Sequence, residues 1–169
     1  DLINWNAEQT AYLTRLYSAL ITAPTGVSKL LTELCEQVGI LLFWDEVNEK
    51  LILKSVRPNS LSETVTDLTA DYHLLADSLK LKDLNDERVN EAWIYYGLID
   101  FTKNLEEEAN YKLLYVAANV SDQSTNKNRD IRIKKIFSRW IIETAKSAAR
   151  ELANKYLERF AVAPVEANF

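Results

Sequence analysis

Residues 27–56 read VSKLLTELCEQVGILLFWDEVNEKLILKSV and carry the clearest structural signals in the chain. Apolar side chains recur in the first part at the spacing of one helical face: Val27, Leu30, Leu31, Leu34, Cys35 and Val38. Gly39 follows, where a glycine in the left-handed conformation commonly ends a helix. The pattern predicts an amphipathic helix that Thr25 caps at its start and Gly39 ends.

The second part of this passage predicts a β-hairpin. Bulky residues run from Ile40 to Trp44, the polar stretch 45–50 supplies a turn, and residues 51–56 return as an apolar strand that Pro58 ends. A helix and a hairpin therefore follow each other directly.

A second helix is predicted upstream of this passage. Asn6 can cap it, with Gln9 completing a capping box, and residues 23–26, which contain Pro24 and Gly26, break it. Its apolar stripe is Leu13, Leu16, Tyr17 and Leu20.

Downstream, three further strands and a long helix are predicted. The strands are 88–97, 111–118 and the basic strand 131–137. Residues 88–97 have apolar side chains on both faces, which predicts a central position in the sheet. A helix with alanines on one face follows, marked by Ile142, Ala145, Ala149, Leu152, Tyr156 and Phe160. Residues 100–110 are predicted to form a solvated loop or a helical turn. The polar stretch from Ser121 to Asp130 is a predicted loop, 70–79 a short helix or irregular crossing, and 164–169 an extended segment.

Helices and strands are partly segregated along the chain, which predicts an α+β fold. We expect an antiparallel or mixed β-sheet with a hairpin, packed by amphipathic helices near the N-terminus and by the long C-terminal helix. Residues 1–169 are expected to form a single domain. Because the chain starts at Asp1 and contains no methionine, we expect it to be excised from a longer protein.

Composition excludes several classes of protein. With 47% hydrophobic and 27% charged residues the chain has the profile of a globular domain, and its net charge of −5 argues against nucleic-acid binding. The composition leaves open a local basic patch for nucleic-acid contact at Arg132, Lys134 and Lys135. The single cysteine, Cys35, permits no internal disulfide and is expected in the core. The sequence shows neither a membrane-spanning run nor a signal segment.

The sequence offers little material for catalysis. His73 is the only histidine, so a triad would have to use it with Ser62, Ser78, Asp71 or Asp77, and a satisfied or surface histidine is the better interpretation. The carboxylates Asp45 and Glu46 could serve glycoside hydrolysis, but acids in a hairpin turn are favoured by turn geometry alone.

The sequence gives equally weak evidence for a metal, phosphate or glycan site. Asp83, Asp86 and Glu87 could gather a hard cation, although a polar loop is favoured, and glycines 26, 39 and 97 are too scattered for a phosphate loop. Aromatic residues lie on predicted strands or at their ends, where a core role is favoured over ligand binding: Trp44, Trp93, Tyr95, Tyr96, Tyr111, Tyr115 and Trp140. We therefore predict no catalytic, cofactor-binding or metal-ligating residue.

Several passages, taken in order, resemble the tail-tip (baseplate hub) proteins of bacteriophages. They are LTELCEQVG (31–39), FWDE (43–46), KLILKSVRP (50–58), RVN (88–90), WIYYG (93–97) and IKKIFSRW (133–140), then the alanine-rich helix and Arg159-Phe160 before Pro164. The resemblance extends from about Leu31 to Phe169, and no single motif in it is diagnostic.

The resemblance implies a structural, non-enzymatic role in the virion, after synthesis in the bacterial cytoplasm. Hub proteins form a ring, usually a trimer, that joins the tail tube to the host-recognition apparatus. The expected partners are other domains and copies of the same tail protein and other tail proteins, without nucleic acid, membrane insertion or cofactor. Such a ring role predicts a larger exposed apolar patch than monomeric proteins usually show. The alternatives are a tail-associated cell-wall hydrolase and a carbohydrate- or receptor-binding module.

Overall fold

A computed structural model of the chain describes residues 2–56, 80–83, 87–120, 131–160 and 165–168. The fold is α+β, as predicted. The helices are α1 (Leu2–Tyr12), α2 (Val27–Val38) and α3 (Lys146–Phe160). The strands are β1 (Ile40–Asp45), β2 (Lys50–Ser55), β3 (Lys80–Asp83), β4 (Glu91–Leu98), β5 (Tyr111–Ala118), β6 (Ile133–Phe137) and β7 (Val165–Asn168).

A three-stranded sheet in the order β5-β4-β6 forms the centre of the fold. β4 is antiparallel to β5 and parallel to β6, so the sheet is mixed and the predicted central position of this strand is confirmed. Ile94 lies opposite Tyr115 on one side and Ile136 on the other. These three residues therefore meet on one face of the sheet.

Helix α3 covers that face of the sheet. Alternate residues of β4 point toward it, namely Ala92, Ile94 and Tyr96, and all three are buried. The helix contributes Ala148, Ala149, Leu152, Ala153 and Leu157 to the same core cluster. Alanine side chains are short, so the helix lies close to the sheet and the cluster is tightly packed.

Gly97 allows the segment before α3 to lie against β4. Its φ angle is 70°, in the left-handed region that favours glycine, and its amide donates to the Ile141 carbonyl at 3.0 Å. A Cβ at this position would lie 3.3 Å from the Cα of Glu143, so a side chain here would push that segment away from β4 by a few tenths of an ångström.

The predicted helix and hairpin of residues 27–56 are confirmed. β1 and β2 pair antiparallel, with Trp44 opposite Leu51, and Gly39 ends α2 with φ 75° and ψ 52°. The predicted cap at Thr25 is wrong: Gly26 holds the N-cap position, and the Thr25 hydroxyl donates to the Ala23 carbonyl instead.

The predicted upstream helix is wrong in its bounds. α1 begins before Asn6, which therefore does not cap it, and ends at Tyr12. The following segment has no regular structure, because tertiary contacts outweigh its helical pattern: the Ser18 amide donates to the Trp140 carbonyl, and Tyr17 packs against the core.

Helix α1 covers the outer edge of β2 with two polar side chains. The Trp5 indole N–H donates to the Leu51 carbonyl at 3.1 Å, and the Ser55 amide donates to the Glu8 carboxylate at 3.0 Å. An uncovered edge offers such groups to other strands. Pairing along this side of the hairpin is therefore blocked.

Two of the C-terminal elements, α3 and β6, depart from the prediction. α3 begins at Lys146 because residues 142–145 form a turn, in which the Ala145 amide donates to the Ile142 carbonyl. β6 begins at Ile133, two residues later than predicted. The extended segment near the C-terminus is strand β7, which pairs antiparallel with β3. The predicted elements at 70–79 and 121–130 lie outside the described residues.

Candidate interaction surface

A network of charged and polar side chains joins α2 to the segment between β6 and α3. The Glu33 carboxylate accepts hydrogen bonds from the Arg139 guanidinium and from the Trp140 indole N–H, the latter at 2.9 Å. The Arg139 side chain is 9% exposed. Because the guanidinium is nearly removed from water, this carboxylate is its main charge compensation in the described structure.

One turn further along α2, Gln37 continues this network. Its amide oxygen accepts from the Ser138 hydroxyl at 2.6 Å, and its amide nitrogen donates to the Phe137 carbonyl at 3.3 Å. At the end of the helix the Lys155 ammonium donates to the Val38 carbonyl at 2.9 Å. Polar contacts thus attach α2 to the end of β6, to the segment that follows it and to α3.

An apolar groove of about 680 Å³ lies between α2, β1 and α3. Its apolar side chains are Leu31, Cys35, Ile40, Leu41, Leu42, Val56, Tyr156 and Phe160. Its charged side chains are Glu36, Lys155 and Arg159. We call these residues the groove.

Cys35 is half-buried in this groove, which differs from the core position that was predicted. Burial and the neighbouring Glu36 raise the pKa of the Cys35 thiol. The thiol is therefore mostly protonated at neutral pH, as expected of a cysteine that acts as an apolar side chain.

The far end of the hairpin is apolar and open to solvent. The exposed fractions are 45% for Phe43, 58% for Trp44, 91% for Val47 and 39% for Leu51. Trp44 and Leu51 are directly opposite each other, while Phe43 alternates to the other face of β1. We call residues 43–51 the hairpin tip.

The carboxylate of Asp45 organises the turn of the hairpin tip. It accepts from the amides of Val47 and Asn48 at 3.0 and 3.2 Å, and from the Asn48 side chain at 2.8 Å. These hydrogen bonds, chiefly those from Asn48, lower the pKa of the Asp45 carboxyl. A general acid of glycoside hydrolysis needs a raised pKa, so Asp45 does not suit that role. Its hydrogen bonds are those of a turn residue.

The sheet face opposite α3 is only partly covered. At one end the loop 100–110 lies over it, where the Tyr95 and Phe137 rings stack at 4.9 Å and the Tyr111 hydroxyl donates to the Leu105 carbonyl. At the other end Trp93 is half-buried, and the neighbouring Leu114, Val116 and Ile133 are exposed. The aromatic residues thus divide: Tyr95, Tyr96 and Tyr111 belong to the interior and Trp44 to the surface.

The basic residues of β6 do not form one surface. Lys134 and Lys135 alternate to opposite faces of the sheet. The Lys135 ammonium bonds Glu108 at 2.6 Å and lies 5.4 Å from the centre of the Trp93 ring. The patch predicted at Arg132, Lys134 and Lys135 is therefore divided: Arg132 and Lys134 line one pocket together with Arg88 and Glu87, and Lys135 is paired with Glu108.

The remaining chemical candidates are not brought together by the described structure. His73, Ser62, Ser78, Asp71, Asp77 and Asp86 lie outside the described residues. Asp83 lies in β3 rather than in the predicted loop, and Glu87 is exposed. Within residues 2–56, 80–83, 87–120, 131–160 and 165–168, no group of three His, Cys, Asp or Glu side chains is placed to hold a metal ion. No helix in the same ranges is long and apolar enough to cross a membrane.

Sequence reasoning missed both the groove and the polar network. The run Phe43-Trp44 is visible in the sequence, but the core role favoured for Trp44 is wrong, because this side chain is 58% exposed. The contact of Glu33 with Arg139 joins residues 106 positions apart, and no local pattern encodes it. No protein-family model matches the chain, and no curated protein is similar to it at a significant level.

Proposed function

We propose that this chain is a non-enzymatic structural part of a bacteriophage tail tip. It packs with copies of itself and with other tail proteins into a ring, and the ring joins the tail tube to the host-recognition apparatus. The tail assignment rests on the resemblance of residues 31–169 to hub proteins. The structural role rests on one observation, the exposed apolar side chains of the hairpin tip.

The hairpin tip has the character of a contact surface. A hairpin that lies on its own core has one apolar and one solvated face, whereas here Trp44 and Leu51 are exposed on one face and Phe43 on the other. Large exposed apolar groups in one place are typical of protein contact sites. Both faces of the hairpin tip therefore offer apolar side chains for contact with a protein partner: Trp44 and Leu51 on one face and Phe43 on the other.

The exposed Trp44 also gives some support to the alternative of a carbohydrate-binding module. Sugar sites combine an aromatic platform with polar groups that fix the hydroxyls. At the hairpin tip the Asp45 carboxylate already accepts three hydrogen bonds within the turn, and Phe43, Val47 and Leu51 add apolar surface. This balance favours a protein partner.

Immunolabelling of purified phage particles tests the proposal. We expect antibodies raised against the chain to label the distal end of the tail in electron micrographs of particles that encode it. Antibodies absorbed beforehand with the purified chain serve as the control. Labelling of the head, or recovery of the chain only among free proteins of the lysate, would contradict a tail-tip role.

A further inference from the structure

We propose that the outer edge of β5 pairs with the same edge of a second copy, with the two strands antiparallel. The three-stranded sheets of both copies then form one continuous sheet around a two-fold axis. This contact goes beyond the proposed function and does not depend on it. It follows from the unpaired backbone groups of β5, from the protection of two other strand edges, and from a register in which β5 matches itself.

The outer edge of β5 carries backbone groups that make no hydrogen bond within the described part of the chain. The Asn119 amide, directly after the strand, donates to the Asn90 carbonyl and so faces β4. Successive residues of a strand direct their backbone groups to opposite sides. The residues whose amides and carbonyls face outward are therefore Lys112, Leu114, Val116 and Ala118. Such a row of donors and acceptors is a template for a further strand.

The side chains along this edge bring no uncompensated charge to a contact. Leu114 and Val116 lie on the sheet face opposite α3 and are 44% and 46% exposed. The only charged residue of β5 is Lys112, and its ammonium bonds Glu143 of the same chain at 2.7 Å. No proline interrupts the strand. Edge strands that resist pairing usually carry charges or proline, and β5 lacks these devices along most of its length.

Two other strand edges of the same chain are protected. Helix α1 covers the outer edge of β2 through two side-chain hydrogen bonds. The edge strand β6 carries Lys134 and Lys135, and the Phe137 carbonyl accepts from the Gln37 side chain. Lysine side chains on an edge strand oppose pairing. Of these three edges, that of β5 is the one open to another strand.

One antiparallel register matches β5 with itself completely. It places Leu114 opposite Val116 of the second copy, and Lys112 opposite Ala118. Every outward amide and carbonyl of the strand then gains a partner, and Leu114 and Val116 form apolar pairs across the two-fold axis. The two Lys112 residues lie at opposite ends of the pairing, roughly 20 Å apart along the strands, where salt screens their repulsion.

Disulfide trapping tests the pairing. One pair of strands is small beside the roughly 1,200–2,000 Å² of a stable interface, so the contact is weak and has to be trapped. One protein carries Leu114→Cys and a second, with an affinity tag, carries Val116→Cys. Cys35→Ser in both removes the native thiol. We expect mild oxidation to give at least about fivefold more mixed dimer than either like dimer.

The geometry of the register gives this preference for the mixed dimer. Directly opposite residues that exchange hydrogen bonds have Cα atoms about 5.5 Å apart, which a disulfide spans. Position 114 and its own copy are diagonal neighbours, about 7–8 Å apart, beyond the reach of a disulfide. The same holds for position 116 and its copy.

The matched control moves the thiol by one residue. Leu113 is 37% exposed, against 44% for Leu114, and its side chain lies on the other face of β5. Leu113→Cys in place of Leu114→Cys is expected to give at least about fivefold less mixed dimer with the Val116→Cys protein.

A proline on the edge supplies the second variant. The Ala118 amide faces outward, so Ala118→Pro keeps the hydrogen bonds to β4 and removes a donor from the proposed contact. Introduced into both proteins, it is expected to lower the yield of mixed dimer about threefold or more. Circular dichroism of each variant checks that the fold is kept.

Equal amounts of mixed and like dimers, or equal yields from positions 113 and 114, would overturn the inference. So would a yield that Ala118→Pro leaves unchanged. Thiols that a maleimide labels but that form no disulfide would refute the pairing. Thiols that no maleimide reaches would also refute it, because the chain would then cover its own edge. The experiment uses the purified chain, so its result is independent of labelling at the tail tip.

Discussion

Replacing Glu33 with alanine is expected to lower the free energy of unfolding by about 3 kcal/mol, because it leaves a nearly buried cation without its counter-ion. The carboxylate accepts two hydrogen bonds from Arg139 and one from Trp140. The guanidinium is the more deeply buried partner. Chemical denaturation followed by circular dichroism measures the change.

Two variants separate the ion pair from a general effect on α2. Glu36→Ala removes an exposed carboxylate from the same helix and is expected to change the free energy of unfolding by less than about 0.5 kcal/mol. Adding Arg139→Met to Glu33→Ala removes the unpaired charge and is expected to recover about 1–2 kcal/mol. Equal effects of Glu33→Ala and Glu36→Ala would show that the network does not stabilise the fold.

The second large effect is expected at the centre of the sheet. Ile94→Ala should lower the free energy of unfolding by about 2–5 kcal/mol, since the isoleucine is 0% exposed and the cavity would lie between α3 and both neighbouring strands. The neighbouring side chains of a tightly packed site move only partly into the cavity that the shorter side chain leaves.

The control for this position is an isoleucine outside the core. Ile142 is 50% exposed, and its replacement by alanine is expected to cost less than about 1 kcal/mol. Denaturation of the two variants under the same conditions compares them. A smaller effect at Ile94 than at Ile142 would contradict the assignment of the core to the sheet face under α3.

Elements with strong local signals were predictable from the sequence. Gly39 marked the end of α2 because a positive φ angle favours glycine, and the alternation of apolar residues around Ile94 marked the central strand. The segment after Tyr12 was not predictable in this way. Its stripe of leucines indicated a helix, but contacts with Trp140 and with the core fix it in an irregular conformation.

The candidate surface was predictable only in part. Residue type identified Trp44 and Phe43 as large apolar groups, yet whether they are buried depends on what lies beside the hairpin. The groove could not be predicted from local sequence either, because its side chains come from α2, β1 and α3, which tertiary packing brings together. Sequence patterns describe the faces of single elements, and these surfaces arise between elements.

We propose that the exposed apolar surface of this chain binds further copies of it. Sedimentation equilibrium from about 10 µM to about 1 mM tests it most directly, since this range covers weak protein contacts. We predict a weight-average mass that rises with concentration above the 19.4 kDa of one chain, and a rise that Trp44→Ala suppresses. A mass of 19.4 kDa throughout the range, the same with and without Trp44, would show that this surface does not bind a further copy.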